Sequence, residues 1–186
     1  MEVNQIVLGD AYELIKELPD KSVSIIVTDP PYELGKNGFG ATAEGKWYAR
    51  PYGKEIAEDT LANGIDLKIL HEFVRVMKKI NIYIWCNKEQ IYDYMTFFVK
   101  ERKCNFEIII WAKQNPSPFT NFHYLKDKEY CLYFWEPGAM CKPSVSTGRT
   151  VYITNVNKAD KDKYGHPTIK PEEIIENLIR NSCGGG

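Results

Sequence analysis

The sequence has no apolar stretch of the ~18 residues that a membrane-spanning helix needs, which excludes a transmembrane role. Its first residues, Met1-Glu2-Val3-Asn4-Gln5, lack the basic and apolar regions of a secretory signal, so a cytoplasmic protein is expected. The cysteines, Cys86, Cys104, Cys131, Cys141 and Cys183, are odd in number and form no C-x-x-C pair. Neither a disulfide framework nor a zinc site is indicated. Cys86 and Cys131 lie within apolar runs and read as small buried hydrophobes. His71, His123 and His166 are too far apart for the helical spacing of metal ligands, and no metal is expected. Charge of one sign is lacking too: 24 Lys and Arg face 25 Asp and Glu, a net of −1, which excludes a polybasic nucleic-acid coat. There is no internal repeat and no low-complexity tract.

What is present is a chain of 186 residues, 44% hydrophobic and 26% charged, as in ordinary soluble proteins. It is long enough for a single domain, 1–186, whose core needs no covalent staple. Charge is unevenly spread. Residues 1–30 carry a net of −4, and residues 142–170, with Lys142, Arg149, Lys158, Lys161, Lys163 and Lys170, a net of +4. The basic stretch reads either as a phosphate-facing segment or as a solvated loop.

Short apolar runs alternate with amphipathic stretches. Gln5–Gly9 reads as a strand, followed by a short helical face of Tyr12, Leu14, Ile15 and Leu18. Val23–Thr28 is a β-branched run stopped by Asp29-Pro30-Pro31. Ile69, Leu70, Phe73, Val74, Val76 and Met77 predict a helix over about 65–79. Ile80–Cys86 predicts a strand, and Ile91, Tyr94, Met95, Phe98 and Val99 another helical face. Phe106–Lys113 and Glu129–Trp135 read as two strands joined without a helix, hence an antiparallel edge hairpin, with Val151–Ile153 a further short strand. Pro171, then Glu172 and Glu173, marks a helix start over about 171–182, with Ile174, Ile175, Leu178 and Ile179 as its buried stripe. The alternation implies an α/β fold with a mostly parallel sheet. The segment 33–60 has no periodicity and five glycines, which in a compact domain suggests a functional loop.

The tetrapeptide Asp29-Pro30-Pro31-Tyr32 directly follows a buried strand, where open α/β sheets bind ligands. Its prolines restrict the backbone and donate no N–H, so their carbonyls can accept from a ligand. A carboxylate, a proline carbonyl and a tyrosine ring suit an exocyclic amino group on a flat ring. Asp29 takes one N–H, a proline carbonyl takes the other, and Tyr32 offers a stacking face.

In these residues the chain resembles the DNA amino-methyltransferases that act on adenine N6 or cytosine N4. Ser22–Tyr32 looks like that family's catalytic strand and loop, and Arg75-Val76-Met77-Lys78 before Ile80–Cys86 is similar to its next helix–strand unit. Trp111–Pro116 and Glu129–Phe134 match two later segments, and His166-Pro167-Thr168-Ile169-Lys170-Pro171 looks like the block before the cofactor-binding strand. The order resembles the circularly permuted β group. The resemblance implies a Rossmann-like class I methyltransferase fold, S-adenosylmethionine as cofactor and double-stranded DNA as partner. It implies methyl transfer to an extruded base without a metal, with Asp29, Pro30, Pro31 and Tyr32 catalytic. Adenine N6 is favoured over cytosine N4 because Asp begins the motif, where N4-cytosine relatives more often carry Ser.

Asp10, Asp29, His166, Thr168 and Lys170 are the implied cofactor residues. Asp10 has the alternative of capping the following helix, and His166, Thr168 and Lys170 that of a structured turn. Lys113 and Asn115 would line the target pocket. Trp47, Tyr48, Arg50 and Tyr52, aromatics interleaved with a cation, would contact DNA from the catalytic loop (29–60) or else pack back on the protein. Target recognition is expected around 115–165. The family's D-P-F-x-G-x-G-type cofactor loop has no counterpart before Gly186, so the fold is expected to be incomplete at its C-terminus. Two consequences follow: either Gln5–Gly9 pairs with Val23–Thr28, or a second copy or a complementing chain covers that edge. A remnant that binds DNA or a partner without catalysis, and an enzyme acting on RNA or protein amines, are the rival readings.

Overall fold

The computed structural model describes residues 4–32, 64–118, 124–156, 162–165 and 168–183. The expectations for Trp47, Tyr48, Arg50, Tyr52 and His166, and most of the loop 29–60, lie outside the described residues.

A five-stranded sheet forms the centre, with spatial order β1-β2-β4-β3-β5. The strands are β1 (Ile26–Thr28), β2 (Asn81–Cys86), β3 (Asn105–Lys113), β4 (Lys128–Trp135) and β5 (Val151–Thr154). β1 pairs parallel with β2, and β3 parallel with β5, whereas β4 runs antiparallel to both of its neighbours. Four of the five strands thus run in one direction and only β4 opposes them, a mixed sheet that is mostly parallel, as expected. The expected β3–β4 hairpin forms, but inside the sheet: β4 inserts between β2 and β3, and β5 adds outside β3.

Side chains alternate across the sheet with period 2. Ile82, Ile84, Cys86, Leu132 and Phe134 face one layer, where helix α2 (Ile69–Val76) contributes Ile69, Leu70 and Phe73. Tyr94 of α3 (Ile91–Met95) and Phe98 of the following π-helical turn (Thr96–Glu101) complete that layer. Tyr83, Trp85, Ile109, Trp111, Cys131 and Tyr133 face the other layer, against Ile174 and Leu178 of α4 (Glu172–Ser182). Every residue of β2 is buried, as expected of a strand covered on both faces. Ile175 is only partly buried and Ile179 is exposed, so the apolar stripe of α4 is narrower than its sequence implies.

Several boundaries moved for identifiable reasons. α2 ends at Val76 because Met77 turns extended and bridges Val23, with Lys78 N–H donating to the Val23 carbonyl at 2.7 Å. That bridge takes the start of the Val23–Thr28 run, leaving β1 with three residues. Gln5–Gly9 is not a strand, and Ile6 and Leu8 stand fully exposed. A β-branched run becomes a strand only where a neighbour supplies the ladder. Among the described residues none does: β1, at one edge of the sheet, pairs with β2 and not with residues 5–9, so the first of the two expected edge repairs is contradicted. The short α1 (Ala11–Leu14) and its 3-10 extension are held instead by Arg75. Its guanidinium donates to the Leu18 carbonyl at 2.8 Å and the Ile15 carbonyl at 2.9 Å, and pairs with Asp20 and Glu72. Among the described residues no helix is long and apolar enough to cross a membrane.

Candidate active site

The mixed topology sets the place of the site. β1 and β3 end at one end of the sheet, and the antiparallel β4 begins there. Asp29 directly follows β1, Lys113 is the last residue of β3 and Glu129 the second of β4. Glu129 has the same parity as Cys131 and Tyr133, and Lys113 the same as Ile109 and Trp111. Both side chains therefore rise on the face that α4 covers. Lys170 arrives from the segment just before α4.

These four charges form one chain of ion pairs. Lys113 Nζ lies 2.5 Å from Glu129 Oε1, and Lys170 Nζ lies 3.1 Å from Glu129 Oε2 and 2.7 Å from Asp29 Oδ2. The Tyr32 hydroxyl donates to Glu129 Oε2 at 3.2 Å. Lys170 Nζ also stands 5.2 Å from the Tyr32 ring centre and 5.4 Å from that of Trp85, within cation–π range. Exposure grades along the chain: the Lys170 side chain is 7% exposed, Glu129 18% and Asp29 34%. The cluster is neutral as a whole, and Asp29 is its solvent-facing end.

Burial alone would push the Glu129 carboxyl up, but the ammoniums of Lys170 and Lys113 outweigh it and hold it below the ordinary range. Burial, with the Asp29 and Glu129 carboxylates facing it, pushes the Tyr32 phenol far up, so it stays a neutral donor. Burial and the nearby Asp29 raise the Cys86 thiol to about 12, and burial raises Cys131 well above its ordinary value. Neither is a thiolate at neutral pH.

The loop is fixed from the opposite layer. Gln90, buried at the start of α3, donates through Nε2 to the Pro31 carbonyl at 3.2 Å, and it exchanges hydrogen bonds with Asn87 at 3.2 and 3.4 Å. One of the two proline carbonyls thus already has a protein donor.

Of the residues singled out in the sequence, Asp29, Pro31, Tyr32, Lys113 and Lys170 come together. Pro30 lies between Asp29 and Pro31 in the same loop. Asp10 caps α1, its Oδ1 accepting from Tyr12 N–H at 2.8 Å. Asn115 Oδ1 accepts from Val156 N–H at 2.7 Å and ties the end of β3 to the segment after β5. Thr168 is exposed two residues before Lys170. The span 115–165 contains β4 and β5, which are sheet strands. Sequence reasoning missed Glu129 and Gln90. Glu129 carried a usable signal, since it is a carboxylate at an inward-facing position of an otherwise apolar strand. Gln90 carried none.

The mixed α/β sheet carries the D-P-P-Y loop just beyond the carboxyl end of a strand, and comparison with known proteins identifies the family. The N6-adenine/N4-cytosine family described as DNA methylase matches over residues 23–186, and the chain belongs to that family. It is 22% identical to the type II methyltransferase M.HpaI of Haemophilus parainfluenzae, over 98% of this chain and 60% of that protein. It is 24% identical to the DNA adenine methyltransferase YhdJ of Escherichia coli, over 100% of this chain and 69% of that one. The chain therefore spans about two thirds of the length of these relatives. Among solved structures it is similar in fold to PvuII DNA methyltransferase (cytosine-N4-specific). The TM-score is 0.58 at 17% identity, with 95% of this chain and 69% of that one covered. It is likewise similar to M1.HpyAVI in its SAM complex, with a TM-score of 0.56 at 20% identity and 92% and 72% covered. These likenesses establish the class I methyltransferase fold.

Proposed function

We propose that this chain carries the amine-binding centre of a DNA methyltransferase that transfers a methyl group from S-adenosylmethionine to adenine N6. The observation that carries the reading is Asp29: a half-exposed carboxylate at the end of β1, beside the Tyr32 ring, that already binds one N–H donor, the Lys170 ammonium. Neighbouring proteins in the comparison act on adenine and on cytosine N4. The choice of adenine rests on Asp at the head of the motif.

Asp29 accepts one hydrogen of the base amine and the Pro30 carbonyl the other. These bonds localise the nitrogen lone pair and stabilise the positive charge that grows on the amine as the methyl arrives. Tyr32 stacks on the base, which must first leave the duplex to reach the loop. The residues present fit a cationic donor, because two carboxylates and the Tyr32 and Trp85 faces already hold one cation, Lys170. Asp29 and the segment Thr168–Lys170 would hold its methionine end. When bound, S-adenosylmethionine supplies a methyl group already activated by its sulfonium.

The test, on a version of the protein that also carries the family's cofactor loop, is transfer of radiolabelled methyl from S-adenosylmethionine to duplex DNA, RNA and protein, followed by nucleoside analysis of the labelled product. N6-methyladenine from DNA is expected. Label appearing only as N4-methylcytosine would overturn the base assignment, and label only in RNA or protein would overturn the substrate class.

A further inference from the structure

In the mechanism above, Asp29 must receive a base amine, yet its Oδ2 is already bound by Lys170 at 2.7 Å. Resting on that reading of Asp29, we propose that Glu129 is a positioning residue: it receives Lys170 when a base amine displaces it from Asp29. Lys170 guards the acceptor while no base is bound and moves aside without being left unpaired.

The geometry supports each part. The Lys170 ammonium has three donors and already touches both carboxylates, Asp29 at 2.7 Å and Glu129 at 3.1 Å, so the transfer needs only a small shift. The two carboxylates are mounted differently. Asp29 stands on the loop at the open end of the cluster, whereas Glu129 stands on an interior strand of the sheet. Lys113 holds its other oxygen at 2.5 Å and the Tyr32 hydroxyl reaches it at 3.2 Å, so Glu129 stays in place when Lys170 moves. An ammonium only 7% exposed is costly to leave without a counter-ion. Without Glu129, Lys170 would remain on Asp29 and exclude the amine. The groups facing Glu129 are Lys113, Lys170 and Tyr32, with Asp29 beyond Lys170.

The proposal makes a sign prediction that a purely structural role for Glu129 does not. Loss of Glu129 should be relieved by also removing Lys170. Short single-stranded oligonucleotides carrying deoxyadenosine, or 2′-deoxynebularine, which lacks the exocyclic amine, serve as probes. Binding is read by fluorescence anisotropy, and the ratio of the two affinities reports the amine contact alone. Wild type should prefer deoxyadenosine by about tenfold, as expected for one charge-assisted hydrogen bond. Glu129→Gln should abolish the preference, and Glu129→Gln/Lys170→Met should restore most of it. Thermal unfolding verifies that each variant is folded. Should Glu129→Gln not fold, Lys170→Met alone decides, since removing the guard must raise the preference. A double variant no better than Glu129→Gln, or a Lys170→Met chain with a reduced preference, overturns the role of Glu129 and leaves Asp29 as acceptor. A wild-type chain with no preference for the amine, unchanged by Asp29→Asn, overturns the reading of Asp29 and the exchange with it.

Discussion

Asp29 and Glu129 carry the same chemical group in opposite circumstances. Asp29 ends the ion-pair chain and keeps a third of its side chain in solvent, while Glu129 is enclosed between two ammoniums and a phenol. Only the first has room for a substrate. In a version of the protein that also carries the family's cofactor loop, Asp29→Ala should therefore lower methyl transfer by ~10²-fold or more, the usual cost of losing a group that stabilises developing charge. Donor binding measured by calorimetry should fall far less than turnover, because the Thr168–Lys170 segment still holds the methionine end. More than about a tenth of wild-type turnover would remove Asp29 from the mechanism. The thiols beside the site have a simpler fate. Cys86 and Cys131 are fully buried and pushed up, and Cys104 is buried as well, whereas Cys141 and Cys183 are partly exposed. Iodoacetamide at neutral pH should label Cys141 and Cys183 and spare the other three until the chain is unfolded. Mass spectrometry of the labelled peptides reads the outcome directly.

At the scale of the element, the layers follow from pattern and the sheet order does not. β2, β3, β4 and α4 were legible because apolar period and turn signals are local. The insertion of β4 between β2 and β3 was not, because strand order is decided by pairings between distant segments. Gln5–Gly9 has strand-like composition but no ladder partner among the described residues, so composition misled there. The site divides in the same way. Asp29-Pro30-Pro31-Tyr32 is contiguous and could be read directly, whereas Tyr32 and Glu129 are 97 residues apart and meet only through the topology. The helix α4 shows why burial must be seen rather than inferred. Leu178 and Ile179 are adjacent and equally apolar, yet Leu178 is 1% exposed and Ile179 41%. Leu178→Ala should cost roughly 2–5 kcal/mol, because it opens a cavity against the face that carries Trp85 and Tyr133. Ile179→Ala should change stability by only about 0.5 kcal/mol. Urea unfolding of the two variants side by side tests the assignment, and equal losses would mean that α4 packs differently.

At the scale of the whole molecule, the active end of the sheet is also a joint. Lys113 from β3, Glu129 from β4, Asp29 after β1 and Lys170 before α4 bind one another, so the ion pairs hold together segments that no single strand pairing connects. Their contribution must depend on pH, and the sign follows from Glu129. Its carboxyl titrates below the ordinary value of 4.5 in the folded chain, because Lys170 and Lys113 outweigh the opposing effect of burial. A depressed folded value means that the unfolded chain binds the proton first on acidification. The stabilisation is therefore complete above about pH 4.5 and is lost as pH falls through the lower folded value. Glu129→Gln keeps the shape and removes the charge. It should lower stability by ~2 kcal/mol at neutral pH, the scale of a charge-assisted hydrogen bond between largely buried groups. It should also flatten the acid side of the profile, since one carboxylate that prefers the folded state has gone. Urea midpoints of wild type and Glu129→Gln, measured from pH 7 down to pH 3, should converge toward the acid end. Parallel curves over that range would show that the proton taken up on acid unfolding goes elsewhere, and that the ion-pair chain does not join the segments it touches.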